Sequence, residues 1–600
     1  MGLVRIAAAQ VDACVGDLEG NARVVLEWTR RAADAGADLV VFPEMTLTGY
    51  PIEDLALRAS FRRAAQSTLE KLAVDLDAAG LGEVAVLVGC VGERAAHRRR
   101  QPETADGAAT DGADDAATDG VVEGGAGSER LPDAELVGDV VAGRPEARDA
   151  ARPTNEAVLL RGGRVETRYA KHHLPNYGVF DEFRIFAPGD EICVLDVAGR
   201  RVGVVICEDI WQDGGPVSLM DENEVACLVV LNGSPFEEGK GHVRAQLAAR
   251  RAAEVDAPVV YVNLVGGQDD LVFDGGSFVV DRDGTLLASA PQFVEHLLVW
   301  DLAAQGEPQR PGPRAAPLHP DEETYRAIVT GLAGYVRKNG FTSVTLGLSG
   351  GIDSALTAAI AADAIGGEHV VGVSMPSRYS SEHSKDDAAD LAARLGADYR
   401  VQPIGAVVEA FQGELALDGV AEENLQARVR GVILMGISNR EGHLVIAPGN
   451  KSELATGYAT IYDAGSIGGF APLKDVDKSR VWALARWRND HARDRGEIPP
   501  IPESSITKPP SAELRPGQTD QDSLPPYALL DEVLDSYVEH AEGRAELLAR
   551  GFAPEVVDRV LQLVDRAEWK RRQYPLGPKV TALAFGRDRR LPVTSRWREP

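Results

Sequence analysis

Cysteine is scarce in this chain. Only Cys14, Cys90, Cys193, Cys207 and Cys227 occur in 600 residues, with no CxxC spacing and no histidine partner at a zinc-like interval. A disulfide framework and a zinc centre are therefore not expected, and a reducing, cytoplasmic setting is. Long apolar runs are missing as well: no stretch reaches the roughly 18 residues a membrane span needs. The opening MGLVRIAAAQVDACVGD has neither a basic leader nor a long apolar core, so export is not expected. Positive charge is also short, with 63 Lys and Arg against 92 Asp and Glu and a net charge of -29. That balance argues against general binding to nucleic acid or to anionic membranes, while leaving room for a local basic pocket. The chain is longer than one core organises, so two domains of roughly 200 to 300 residues each are expected.

Residues 1–305 alternate short apolar runs with amphipathic stretches: VRIAAAQ, ADLVVFPE, VAVLVGCVGE, EAVLLRGG, VGVVICED, ACLVVLN, APVVYVNLVG and GGSFVVD. This is an α/β pattern rich in strands. Residues 94–154 turn to Ala, Gly, Asp, Glu and Arg, a composition that buries too little apolar area to offset ordering, so a disordered surface insertion is expected there. A second break, GEPQRPGPRAAPLHPDEE, reads as a linker over 306–323. Residues 324–600 open with a helix near Tyr325–Lys338. The strands VTLGL, HVVGVSMPS, ADYRVQPI and HLVIAPGN then follow with helices between them, the pattern of a doubly wound parallel sheet.

Within that second half, SGGIDS (Ser349, Gly350, Gly351, Ile352, Asp353, Ser354) joins the strand ending at Gly347 and Leu348 to a helix-like run. Paired glycines let the backbone approach a ligand, and the amides opening the helix suit an anion. No Lys follows the glycines, so this is not the P-loop of kinase-like NTPases. The pattern resembles the pyrophosphate loop of AMP-forming ATP pyrophosphatases, which implies ATP as co-substrate. Asp353 is then the natural Mg2+ ligand, because a hard cation bridging phosphates wants a carboxylate.

In the first half Cys207 ends the run VGVVI, Glu44 ends LVVFPE, and Lys171 stands in RYAKHHLPNYGVFDE. Strand ends of an α/β sheet are where catalytic side chains are usually presented. Glu, Lys and Cys in this order resemble the nitrilase superfamily. The resemblance implies that Glu44 is the base, Cys207 the nucleophile on a carboxamide and Lys171 the donor to the oxyanion. A thiol needs such help, since its ordinary pKa leaves it protonated at neutral pH.

The two halves together resemble the glutamine-dependent NAD synthetases, over the whole chain except the insertion. Tyr50, the segment LPNYGVFDE and NGSPFEEGK carry the likeness in front, which nominates Tyr50, Tyr177, Glu182, Ser234 and Lys240 to hold glutamine. Behind, MPSRYSSEHSKDDAADLAARLG, ENLQARVRG, PGNKSELATGYATIYDAGSIGGF, LKDVDKSRVWAL, ITKPPSAELRPGQTD and WKRRQYP carry it. These nominate Gly347, Leu348, the SGGIDS residues, Pro448, Lys478 and Ser511 for ATP. Asn424, Arg428, Glu453, Tyr458 and Lys570 are nominated for deamido-NAD, with Asp353 and Glu453 on Mg2+. Two departures stand out: Pro448 replaces a Thr that contacts ATP, and Asp463–Ser466 replaces a Gly-Asp pair. The resemblance implies an N-terminal nitrilase-like α-β-β-α sandwich and a C-terminal Rossmann-like sheet. It further implies ATP-dependent amidation of deamido-NAD with ammonia from glutamine, and a homo-oligomer. The residues alone leave open another AMP-forming amidotransferase or a non-catalytic nucleotide sensor.

Overall fold

A computed structural model describes residues 3–93 and 152–599. The expected insertion lies outside the described residues except for its last three, where Pro153 already opens the strand Pro153–Arg161.

The first half is two six-stranded sheets face to face. In the first the order is His296–Leu302, Val4–Gln10, Leu39–Val41, Ala85–Glu93, Pro153–Arg161, Arg164–Ala170; in the second it is Leu286–Ser289, Phe278–Val280, Val259–Asn263, Cys227–Asn232, Arg200–Ile206, Cys193–Val197. Ile6, Leu39, Val41, Leu87 and Leu159 of the first meet Val202, Val204, Val229, Leu231 and Val262 of the second in one core. The outer face of the first sheet packs Val40, Val86 and Val88 on the helices Leu18–Asp34 and Ala59–Ala78 through Val25, Trp28, Leu69 and Leu72. The outer face of the second packs Val205, Val230 and Tyr261 on the helix Lys240–Glu254 through Ala248 and Ala252. The result is the expected α-β-β-α sandwich. Its central parallel strands are buried on both faces, which is why they read as unbroken apolar runs.

The sequence runs misplace some elements. APVVYVNLVG is not one strand: it breaks at Leu264 into Val259–Asn263 and Val265–Gln268, the latter pairing with Leu271–Asp274 in a separate hairpin. Arg164–Ala170, Cys193–Val197 and His296–Leu302 go unread because each mixes charged or polar residues with apolar ones at a sheet edge. The helix Pro320–Lys338 also begins inside the segment read as linker. His319 caps it by accepting from Asp321 N–H, Pro320 fills the first turn, Asp321, Glu322 and Glu323 face the positive end, and Arg337 and Lys338 the negative one.

The second half contains the parallel sheet Asp398–Val401, Val370–Ser374, Val344–Gly347, Leu444–Val445. Helices Pro320–Lys338, Ile352–Ile365 and Lys478–Asp494 cover one face and Gly419–Glu441 the other. Tyr527–Leu534 and Pro554–Arg566 build a smaller helical core beside Leu454. The halves meet backbone to backbone: a Cβ on Gly334 would come within 2.7 Å of the Gly267 carbonyl oxygen of the hairpin. The C-terminal segment adds Glu238 N–H to Val580 O (2.9 Å) and Lys579 N–H to Asp270 O (2.8 Å).

Candidate active sites

Glu44, Lys171 and Cys207 converge at one end of the sandwich. Glu44 follows the strand Leu39–Val41 in a bend that closes directly over Gly89, where any side chain would strike the Met45 amide at 2.1 Å. Cys207 follows Arg200–Ile206 and holds φ +40°, a left-handed backbone that a non-glycine residue keeps only when its surroundings impose it.

Behind the thiol lies a closed ionic cluster. Lys171 Nζ donates to Glu44 Oε1 (2.7 Å) and to Glu182 Oε2 (2.9 Å) and Oε1 (3.1 Å). Glu44 also accepts from Asn155 Nδ2 (2.7 Å) and from Gly233 N–H (2.8 Å), and Tyr50 OH donates to Glu182 (2.7 Å). The Lys171 and Glu44 side chains have no solvent exposure. Burial works against the ammonium, but Glu182 and Glu44 raise the Lys171 pKa well above its ordinary value, so it stays charged. Burial pushes Glu182 up to about 7 against the pull of Lys171. Burial, and then Glu44, raise the Cys207 thiol far above its ordinary range, with Lys171 opposing. Cys207 is thus held as a neutral thiol.

Cys207 opens onto a cavity of about 470 Å3, lined among others by Tyr177, Glu208, Trp211, Ser234 and Lys240. Of the five residues nominated for glutamine, Tyr177, Ser234 and Lys240 reach this cavity, whereas Glu182 sits behind it as a partner of Lys171 and Tyr50 as a donor to Glu182. Burial and neighbouring Arg244 lower Lys240 to about 8. Glu208 was not singled out, although it directly follows the thiol; it accepts from Tyr177 OH (2.9 Å) and burial raises its pKa.

A second cavity, of about 320 Å3, lies at the carboxyl end of the parallel sheet and is lined by Gly347, Leu348, Ser349, Gly351, Ile352, Asp353, Ser354, Pro448, Lys478 and Ser511. Gly350 is the one nominated ATP residue outside that lining. It turns at φ +75° against Ser384, whose carbonyl oxygen a Cβ there would meet at 2.3 Å. The loop is braced from within: Ser349 N–H (3.3 Å) and Ser349 Oγ (3.0 Å) reach Ser354 Oγ, and Gly351 N–H donates to Ser349 Oγ (3.2 Å). Asp353 accepts from Asn450 Nδ2 (2.9 Å) and pairs with Lys478, which stands 4.0 Å from Glu453. Burial and Asp353 raise Glu453 to about 8.

Glu453 and Tyr458 line this cavity too, but Asn424 and Arg428 do not. Asn424 accepts from Thr460 Oγ1 (2.6 Å), Arg428 donates to Ile461 O (3.2 Å), and Lys570 donates to Gly457 O (2.6 Å) and Ala459 O (2.8 Å). All three grip the segment 457–461 from outside, Lys570 from a small adjoining cavity it shares with Glu453 and Tyr574. The residue of ENLQARVRG that faces the nucleotide-site cavity is Arg430, with Ala427 one turn before it, as helical spacing requires. Pro448 brings no hydroxyl to the lining, and Asp463 spends one carboxylate oxygen on Gly465 N–H (2.9 Å). Also unforeseen are Ser384, Lys385, Lys508 and Glu513. The Glu513 carboxylate accepts from Ser381 N–H (3.2 Å) and Ser381 Oγ (2.9 Å) at the start of the helix Glu382–Leu395.

The carbon-nitrogen hydrolase family matches residues 5–118 and 137–308, and the NAD synthase family matches 324–574. The chain is 43% identical to the glutamine-dependent NAD(+) synthetase of Xanthomonas campestris, covering 99% of this chain and 97% of that protein. It is 39% identical to that of Acinetobacter baylyi, covering 99% of each. The solved glutamine-dependent NAD+ synthetase of Acinetobacter baumannii, in complex with adenosine diphosphate, is 37% identical with a TM-score of 0.71 over 100% of both chains. That from Cytophaga hutchinsonii, 20% identical with a TM-score of 0.76, shares the fold. With full-length matches of this identity and both family domains in order, the chain belongs to the glutamine-dependent NAD(+) synthetases.

Proposed function

We propose that this chain makes NAD by amidating the nicotinate carboxylate of deamido-NAD, with ATP as activating co-substrate and glutamine as nitrogen donor. The observation that carries this reading is the pairing, in one chain, of a buried Glu44–Lys171–Glu182 cluster behind Cys207 with an SGGIDS loop whose Asp353 meets Lys478. Residues 1–305 form the glutaminase domain, and the synthetase domain opens with the helix Pro320–Lys338, so that 306–319 join them.

Glutamine enters the cavity in front of Cys207, held by Tyr177, Ser234 and Lys240 together with Glu208. Glu182 serves it indirectly by holding Lys171, and Tyr50 by donating to Glu182. Glu44 takes the thiol proton as sulfur adds to the carboxamide carbon, and Lys171 donates to the oxygen that gains charge. Ammonia leaves with that proton, and water, deprotonated by Glu44, cleaves the thioester to glutamate. Losing one such oxyanion donor typically costs a factor of about 100 to 1,000.

In the other domain the SGGIDS amides, Gly347, Leu348, Lys478 and Ser511 hold ATP, with Pro448 adding wall rather than a hydroxyl. Glu453 and Tyr458 receive the dinucleotide, joined by Arg430. Asn424, Arg428 and Lys570 act on it through the segment 457–461. The carboxylate attacks the α-phosphorus, pyrophosphate leaves, and ammonia displaces AMP from the acyl adenylate. Among the described residues no three His, Cys, Asp or Glu form a metal cage, but Asp353 and Glu453 both stand beside Lys478 Nζ. Two carboxylates completed by substrate phosphates suit Mg2+, which would neutralise the phosphate oxygens when bound.

The helices Gly405–Leu415 and Gly419–Glu441, which expose Phe411, Leu415, Val420 and Val432, the last two at 70%, support a homo-oligomer. A second copy is the occupant we assign to that face, and light scattering after size exclusion tests it. No described helix is long and apolar enough to cross a membrane. Five free cysteines suit the cytoplasm. The decisive experiment supplies purified protein with ATP, magnesium, deamido-NAD and either glutamine or ammonium chloride. NAD, AMP and pyrophosphate are expected with both nitrogen sources, and NAD with neither ends the reading.

A further inference from the structure

Asp209 stands two residues after Cys207 and is wholly buried. It does not line the cavity in front of the thiol. Its carboxylate accepts four hydrogen bonds, and their donors come from the two segments that carry the reacting groups. Oδ1 takes the backbone N–H groups of His172 (3.1 Å) and His173 (2.8 Å), the two residues after Lys171. Oδ2 takes the backbone N–H of Ile206 (2.9 Å), the residue before Cys207, and the hydroxyl of Tyr169 (2.7 Å), two residues before Lys171. Four bonds fill the capacity of an ionised carboxylate, leaving nothing for a substrate.

The two segments belong to different sheets: Arg164–Ala170 leads to Lys171 in the first, and Arg200–Ile206 leads to Cys207 in the second. Across that seam the sheets contribute packed side chains, which fix distance but not the rotation of a chain end. A carboxylate with two donors on each oxygen fixes both. It also closes the turn that holds Cys207 at φ +40°. From the other side Arg251 braces the same turn, donating to Ile210 O (2.7 Å) and Gln212 O (2.6 Å).

We propose that Asp209 is a positioning residue of the glutaminase site, holding the chain end that carries Lys171 in register with the turn that carries Cys207. The proposal rests on reading Cys207 as the glutaminase nucleophile. It acts mainly on the rate of attack, because Ser234 and Lys240 hang from other elements, and Glu208 with its partner Tyr177 is the one part of the glutamine pocket that shares the turn.

The test uses the full chain and measures kcat and KM for glutamine hydrolysis alongside NAD synthesis from ammonium chloride. Asp209→Asn keeps the volume and can still accept from His172 and His173, but its amide nitrogen meets the Ile206 N–H as a second donor. A misplacement of this kind costs on the order of 100-fold. We expect kcat for glutamine to fall by that factor, KM to stay within about threefold and ammonia-supported synthesis to stay within about twofold. Tyr169→Phe removes one of the four donors and should show the same pattern at roughly three- to tenfold. An Asp209→Asn protein with kcat within threefold of the parent overturns the proposal. So does an equal loss in the ammonia assay, or a KM that rises as far as kcat falls. A parent protein that makes NAD from ammonium yet never hydrolyses glutamine overturns the glutaminase reading itself, and is told apart because the unmodified chain already shows it.

Discussion

The two active sites of this chain solve opposite electrostatic problems. At the thiol site the charges are the protein's own and are sealed in: Lys171 and Glu44 have no solvent exposure and Glu182 has 5%. At the nucleotide site Lys478 is buried, but its partners Asp353 and Glu453 remain about a fifth open. The difference follows the substrates. Glutamine brings a neutral carboxamide, so every charge that acts on it must be installed in advance, in a medium where it acts strongly. ATP brings its own negative charge, so that site needs complementary donors held apart and ready.

Removing the nucleophile separates the sites most sharply. Cys207→Ala should abolish glutamine-supported NAD formation while synthesis from ammonium chloride continues near the parental rate. Loss of both activities would mean that the two sites are not chemically independent. Asp353→Asn is the reciprocal variant. It should cost synthesis from either nitrogen source roughly 100-fold or more, leave glutamine hydrolysis measurable, and cost less stability than breaking the first cluster, because Asp353 is partly solvated and an Asn oxygen there can still accept from Lys478.

The next prediction contrasts the stability of the two clusters. Lys171→Met leaves Glu44 and Glu182 buried without their cation, and breaking a buried pair in this way typically costs about 3 to 5 kcal/mol. Denaturant unfolding of the first half should therefore suffer far more from Lys171→Met than unfolding of the second half does from Asp353→Asn. Adding Glu182→Gln to Lys171→Met should recover part of the loss, since one buried charge is then removed. A Lys171→Met protein as stable as the parent would show that the cluster is wetter than its geometry says.

The same contrast governs what could be read from the sequence. Cys207, Glu44 and SGGIDS were legible because each announces itself locally, as a reactive or flexible residue at the end of an apolar strand. The sandwich was legible through its doubly buried strands. Asn155 and Asp209 were not, because their roles exist only once distant segments converge: Asn155 is 111 positions from Glu44, and Asp209 is 37 from His172. Tyr50 and Glu182 were found, but their placement behind Lys171 rather than around the cavity depends on side-chain direction, which motif order does not carry. Arg428 against Arg430 is a matter of helical phase. Ala427, Arg430 and Leu434 point inward on Gly419–Glu441 while Arg428 and Val432 point out, and that phase could have been read from the spacing of the apolar residues.

The smallest expected effect concerns protons at the nucleotide site. Burial, and then the neighbouring charge of Asp353, raise Glu453 to about 8. A carboxylate whose folded pKa is raised binds its proton more tightly in the native state, so its contribution to stability is greatest below the unfolded value and declines as pH rises through the folded one. A divalent cation reverses that order, because it binds the ionised form and must expel the proton. Below pH 8 the apparent magnesium affinity, measured calorimetrically with a non-hydrolysable ATP analogue, should thus fall by up to about tenfold per pH unit, and above pH 8 it should be flat. Glu453→Gln should weaken binding and remove the slope. Glutamine hydrolysis in the same protein should ignore the metal altogether, since its charges are already in place. If magnesium affinity were independent of pH between 6.5 and 8.5, Glu453 would not be a metal ligand, and Asp353 would hold the ion with phosphate oxygens alone.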